Sequence, residues 1–115
     1  MKIDVFLNKL KQTPEQISFA DTMAVIDANY TYQPCSFSNG EAQNAAATNE
    51  GSCKLFAFAQ LQNLDKEATL ACFGDYYRND VLKTPEGSDH ANIRNFMLSG
   101  WQGIHFDGQA LSAKA

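Results

Sequence analysis

Apolar residues at Ile3, Phe6, Leu7 and Leu10 recur at i, i+3, i+4 and i+7, the spacing of one helix face, so the chain is expected to open with an amphipathic helix. Thr13-Pro14-Glu15-Gln16 reads as a restart: Thr13 as cap, Pro14 at the first helical position, Gln16 completing a capping box. The helix that follows carries Ile17, Phe19, Met23, Ile26 and Tyr30 and fades near Asn29. Residues 30–37 are rich in aromatic and β-branched side chains and contain Pro34, which suits an edge strand or an extended segment. Asn39-Gly40 is a turn signal.

Residues 41–51 are small and polar and contain no aromatic residue. Two readings stand side by side there: a functional loop, or a short Ala-rich helix over residues 42–47. Ser52 then caps a helix over residues 53–61 that is apolar nearly all round, the best candidate for a central buried element. Asp65 caps what reads as the longest helix, residues 66–83, with Leu70, Phe73, Tyr77 and Val81 in one stripe. Gly74 lies beside that stripe. A glycine in mid-helix costs about 1 kcal/mol relative to alanine, so it is expected where another helix crosses closely or, less often, where a ligand touches the backbone. Thr84-Pro85-Glu86-Gly87 ends that helix, and Ser88 caps the last one, residues 89–99, which buries Ile93, Phe96 and Met97 and stops at Gly100. Residues 103–108 alternate like a short strand and are expected to pair with residues 31–37. The expected fold is a compact single-domain α+β protein spanning residues 1–115, mainly α with about five helices and a small antiparallel β element.

Composition narrows the function. At 115 residues and 44% hydrophobic content, with 8 Phe, 4 Tyr and 1 Trp, the chain can fill a core without staples. The formal net charge is −4 and the 9 basic residues are scattered, which argues against nucleic-acid binding and against an anionic membrane surface. The cysteines Cys35, Cys53 and Cys72 are odd in number and form no C-x-x-C, so neither a zinc site nor a thioredoxin-like centre is expected. Dispersed cysteines fit a reducing cytoplasm. The amino-terminal residues lack the apolar core of a signal peptide, and no run approaches the ~20 apolar residues of a membrane span.

Three stretches carry candidate chemistry. Cys53 follows a Gly-Ser pair at an expected helix start, where the dipole lowers a thiol pKa and stabilises an oxyanion; His105, on the later strand, is the one candidate base for such a nucleophile. Papain-like enzymes place their histidine about 130–150 residues downstream, and free cysteine is among the most buried residue types, so Cys53 is expected in the core. Asp75 and Arg78 stand at i,i+3, and the guanidinium can present a fork to a carboxylate or phosphate beside Tyr76; a solvated helix face is the simpler reading. In Asp89-His90-Ala91-Asn92-Ile93-Arg94-Asn95, Asp89 suits the helix dipole, and with two histidines in the chain and none four residues from His90 no metal is expected. Asn44, Asn49 and Glu50, the Arg78 region, and the turn at residues 89–95, with His90, Arg94 and Asn95, are expected to converge on one cleft. No cofactor is expected.

The strings Gly51-Ser52-Cys53-Lys54, Ala71-Cys72-Phe73-Gly74-Asp75-Tyr76-Tyr77-Arg78, Asp89-His90, Asn92-Ile93-Arg94-Asn95-Phe96-Met97 and Gly100-Trp101 are long and specific. On them, residues 19–111 resemble the HopJ type III effector family. The resemblance implies a bacterial protein delivered by type III secretion into a host cell, and it implies no reaction and no active site. The expectation is a non-enzymatic interaction or binding protein with a host or bacterial protein partner, located in the bacterial cytoplasm and open to export. The alternatives are a cytoplasmic protein that binds a small polar ligand and, behind it, a hydrolase or transferase that uses Cys53.

Overall fold

The computed structural model describes residues 2–114. Helix α1, Ile3–Gln12, follows its predicted phase, with Phe6 and Leu10 buried and Lys9 and Lys11 at the end that favours positive charge. Pro14–Gln16 forms a 3-10 turn, and α2 is Phe19–Asn29. The capping box lies later than the sequence suggested. Asp21 N donates to Ser18 Oγ at 3.0 Å and Ser18 N to Asp21 Oδ2 at 3.2 Å, whereas the Thr13 hydroxyl turns back to the Lys9 carbonyl. The cause is Ile17: it is extended and wholly buried, and it separates the turn from the helix.

Among the described residues, five short strands make two antiparallel sheets. β1 (Tyr30–Tyr32) pairs with β5 (Leu111–Ala113), while β2 (Phe37–Asn39) lies between β3 (Ala42–Asn44) and β4 (Ile104–Phe106). Gly40, at φ +60°, opens the two-residue turn between β2 and β3, where a type II′ geometry needs a residue free to adopt positive φ. Residues 42–47 are therefore neither a helix nor a loop throughout; they begin with a strand. The expected pairing across residues 31–37 is split. Phe37 meets Phe106 in β4, and Thr31 instead meets Ser112 in β5.

Helix α3, Glu50–Leu61, is the predicted central element and starts earlier than expected, at Glu50, with Asn49 rather than Ser52 before it. Its Phe56 ring touches Phe37, Phe73, Phe96 and Trp101 at centroid distances of 6.1, 5.5, 5.0 and 6.4 Å. Phe58 packs edge-on against Phe6 and Tyr30.

The long helix predicted over residues 66–83 is broken. α4 (Lys66–Ala71) is capped by Asp65 as expected, but the chain then turns through Gly74 at φ +62° into a π-helical segment, Tyr76–Val81. A Cβ on Gly74 would stand 2.7 Å from the Phe19 amide nitrogen and 3.0 Å from the Ser18 Cα. The close crossing predicted for this glycine is made by the start of α2. Helix α5, Ala91–Ser99, begins after His90, not at Asp89, because His90 takes a left-handed conformation and Asp89 turns away to Arg94. It buries Ile93 and Phe96 fully and Met97 in part. Trp101 closes this end, donating from Nε1 to the Leu64 carbonyl at 2.9 Å.

The architecture is the mainly α, small antiparallel β arrangement that the pattern predicted. Gly74→Ala is expected to lower stability by more than about 2 kcal/mol in urea unfolding, since a left-handed alanine alone costs about 1–2 kcal/mol and its methyl also meets backbone. Gly108→Ala, whose new methyl meets only Cys35 Sγ at 3.6 Å, is the matched control and is expected to be near neutral.

Candidate functional site

Four asparagines from four elements meet at the edge of the core, three of them buried. Asn39 comes from β2, Asn44 from β3, Asn49 from the residue before α3, and Asn92 from the first turn of α5. Asn44 and Asn92 form a reciprocal amide pair: Asn92 Nδ2 donates to Asn44 Oδ1 at 3.0 Å and Asn44 Nδ2 to Asn92 Oδ1 at 3.2 Å. Asn49 Nδ2 adds a bond to Asn44 Oδ1 at 2.7 Å, and Asn39 Nδ2 reaches the Asn92 carbonyl and Oδ1 at 2.8 and 3.0 Å. Asn39, Asn44 and Asn92 are all buried. Truncating one member would strand its partners' polar atoms at a cost of about 1–3 kcal/mol each, so the network ties the β2–β3 hairpin to α5. Asn39 Oδ1 is buried without a donor.

Outside this network lies a cleft of about 620 Å³, lined by Asn44, Asn49 and Asn92 together with Gly51, Ser52, Tyr76 and His90, and floored by Phe19, Phe73 and Ile93. His90 Nε2 stands 3.1 Å from Asp80 Oδ2 and 3.8 Å from Asp89 Oδ2, and its ring lies 5.3 Å from that of Tyr76. Both Asn49 and His90 hold left-handed backbone, at φ 48° and 52°, and each immediately precedes a helix. Non-glycine residues at such angles cost free energy and cluster at ligand-binding positions.

The structure brings together only part of the predicted constellation. Asn44, Asn49 and His90 line the cleft. Glu50 is exposed at the first position of α3 and raises the pKa of the Tyr32 hydroxyl, an effect second to that of burial. Arg78 points elsewhere: its guanidinium donates to the carbonyls of Pro14, Ile17 and Ala71 and stands 3.8 Å from Asp75 Oδ1. It pins the 3-10 turn to the π-helical segment rather than offering a free fork. Arg94 is likewise occupied, by Asp89 Oδ1 at 2.7 Å, the Asp89 carbonyl and Thr84, and this pairing holds the Asp89 carboxyl below the usual carboxylate range. Asn95 is half-buried beside Gly40, outside the cleft.

Cys53 is 1% exposed, its Sγ 3.5 Å from the Cys35 carbonyl oxygen, and burial pushes its thiol pKa up. With α3 beginning at Glu50, Cys53 lies at the helix's fourth position, where its own N–H already bonds the Asn49 carbonyl. His105 is exposed on β4 opposite Ser38, and no hydrogen bond joins it to Cys53. Cys72 is buried against Thr22, whose hydroxyl donates to its carbonyl at 2.8 Å, and burial raises its thiol to about 12. Among the described residues no cluster of three or more His, Cys, Asp and Glu side chains is placed to hold a metal ion.

Sequence reasoning included Asn92 and Tyr76 in its expected cleft but missed Asn39 and Ser52, which it read as a turn residue and a helix cap. The available signal was asparagine close to a core residue: Asn39 two residues after Phe37. A second concavity, of about 710 Å³, runs between α1 and α4 with walls of Leu7, Leu10, Leu64 and Ala68, and Lys11, Glu15, Glu67 and Arg78 also line it.

The fold and the cleft together define a small α+β protein with a polar recess between two helix starts, in which neither the thiols nor a metal-ligand cluster takes part. The chain belongs to the HopJ type III effector protein family, whose model matches residues 3–111. It is also similar to a solved structure, the crystal structure of the unknown-function protein VPA0580, at 58% identity and a TM-score of 0.98, over 99% of this chain and 95% of that one. No curated protein matches it. Among the described residues no helix is long and apolar enough to cross a membrane.

Thiol chemistry gives a direct check. With a neutral disulfide reagent at pH 7.5, Cys35 is expected to react first and Cys53 and Cys72 only at the rate of unfolding. A Cys53 that reacts faster than free cysteine would restore it as a nucleophile.

Proposed function

We propose that this protein is a non-enzymatic binding protein of the HopJ type, a single domain whose polar cleft between α3 and α5 takes a small polar ligand. The observation that carries the reading is the Asn44–Asn92 amide pair, buried and fixed by Asn39 and Asn49 on the wall of a cleft of ligand size. A recess with a few rigid, convergent polar groups and an aromatic floor is the usual form of a small-molecule site. The raised, buried Cys53 thiol supports binding over catalysis. A screen of small polar metabolites by thermal unfolding is expected to find compounds that raise Tm, with a stabilisation of about 2.7 kcal/mol at a hundredfold excess over Kd. The shift is expected to vanish in Asn49→Leu and to persist in Arg78→Lys. A panel that leaves Tm unchanged would sink the ligand reading.

A second reading has its own support in the groove between α1 and α4, whose leucine walls suit a host or bacterial protein partner. It accords with the family's effector description, under which the protein is made in the bacterial cytoplasm and exported. A translocation reporter fused to the full chain is expected to enter host cells from a type III-competent strain and not from its secretion-dead counterpart. Equal absence from both, with the fusion folded and abundant, would remove the export role.

A further inference from the structure

We infer that the group recognised in the cleft is an anion, a carboxylate or a phosphate, held by N–H donors. This rests on the binding reading above and adds the sign of the ligand. An amide oxygen has two lone pairs, and an amide nitrogen two hydrogens. Asn44 Oδ1 accepts from both Asn92 and Asn49, and Asn92 Oδ1 accepts from both Asn39 and Asn44, so both oxygens are full. Each of the two Nδ2 groups uses one hydrogen in the pair and keeps the other. These side chains line the cleft with only 6% and 8% of their surface exposed, and the hydrogen-bonding capacity they retain is donor capacity.

The backbone repeats that sign. Asn49 and His90 precede their helices without a side-chain bond to them, and the first helical bonds run from Cys53 N to the Asn49 carbonyl and from Ile93 N to the His90 carbonyl. The N–H groups of Gly51, Ser52, Ala91 and Asn92 thus have no acceptor among the described residues, and all four residues line the cleft. Two helices, of 12 and 9 residues, bring the positive ends of their dipoles to one place. No Asp or Glu lines the cleft: Asp80 is occupied by His90 and Asp89 by Arg94. A cation there would face two positive helix ends with few free oxygens; an anion would meet donors on both sides.

The test is an ¹H–¹⁵N NMR titration of the full chain at constant ionic strength with inorganic phosphate, acetate and acetamide, the last a neutral isostere of acetate. Phosphate or acetate is expected to shift the Gly51, Ser52, Ala91 and Asn92 amide signals saturably, with acetamide at least tenfold weaker; the tighter anion names the source of the charge. Ser52→Asp places a carboxylate in the first turn of α3, where the helix tolerates it, and is expected to weaken anion binding at least tenfold. Gln43→Glu, on the exposed side of the rim, is expected to weaken it severalfold if the first variant fails to fold. Acetamide binding as tightly as acetate, or anion affinity unchanged in the folded variants, would overturn the inference and leave the binding reading standing. No shift with any of the three probes would overturn both.

Discussion

The packing of Phe56 is the contact on which the rest of this structure depends. Its ring meets Phe37 of β2, Phe73 beyond α4, Phe96 of α5 and Trp101 just after it, so one side chain joins three segments that lie far apart in sequence. Aromatic pairs add about 0.5–1.5 kcal/mol each beyond the area they bury, and their edge-to-face geometry fixes angles as well as distances. Because Phe56 and the residues before it belong to one helix, orienting the ring also orients the first turn of α3. The cleft is therefore set by the aromatic core two turns away.

That geometry explains why polar groups are buried here at all. The start of α5 and the β2–β3 hairpin are brought together as Phe37 and Phe96 pack on Phe56, and the asparagines fill the space where the aromatic layer ends. A buried amide is costly when unpaired and nearly neutral when every atom finds a partner. The reciprocal Asn44–Asn92 pair meets that condition for the oxygens and leaves donors at the surface. The arginines that attracted attention in the sequence do the opposite work. Arg78 and Arg94 are bound by carbonyls of neighbouring turns and hold loops in place, as guanidinium groups do when several acceptors converge on their plane.

How much of the fold can be read from sequence depends on whether the decisive contact is local. The phase of α1 is local, and Phe6 and Leu10 are buried as their spacing requires. The apolar character of α3 likewise announces its central position. Gly74 is the counterexample. Its surroundings read as continuous helix, and the break there comes from its left-handed turn against the backbone of Ser18 and Phe19, far away in sequence. The strands fail for a similar reason: residues 30–37 look like one extended run, and only their partners, β5 and β4, divide it. In the site, Asn49 and His90 stood out by residue type and position. Asn92 stood in a polar helix start whose place in the cleft was expected, but its amide partner Asn44 could not be read from the sequence.

The sequence by itself determined the class of fold, the central helix and the burial of Cys53 beside Leu55 and Phe56, because each follows from residue type and short-range spacing, and its long specific strings carried the resemblance to the family. Tertiary structure decided where the longest helix breaks, which strands pair, that the two arginines are occupied, and that two helix starts share one cleft. Arg94 finds its acceptors within ten residues, but the other outcomes depend on backbone and amide groups meeting across separations of roughly fifty residues or more. Every residue carries a similar backbone N–H, so no local pattern of side chains marks which of them will meet.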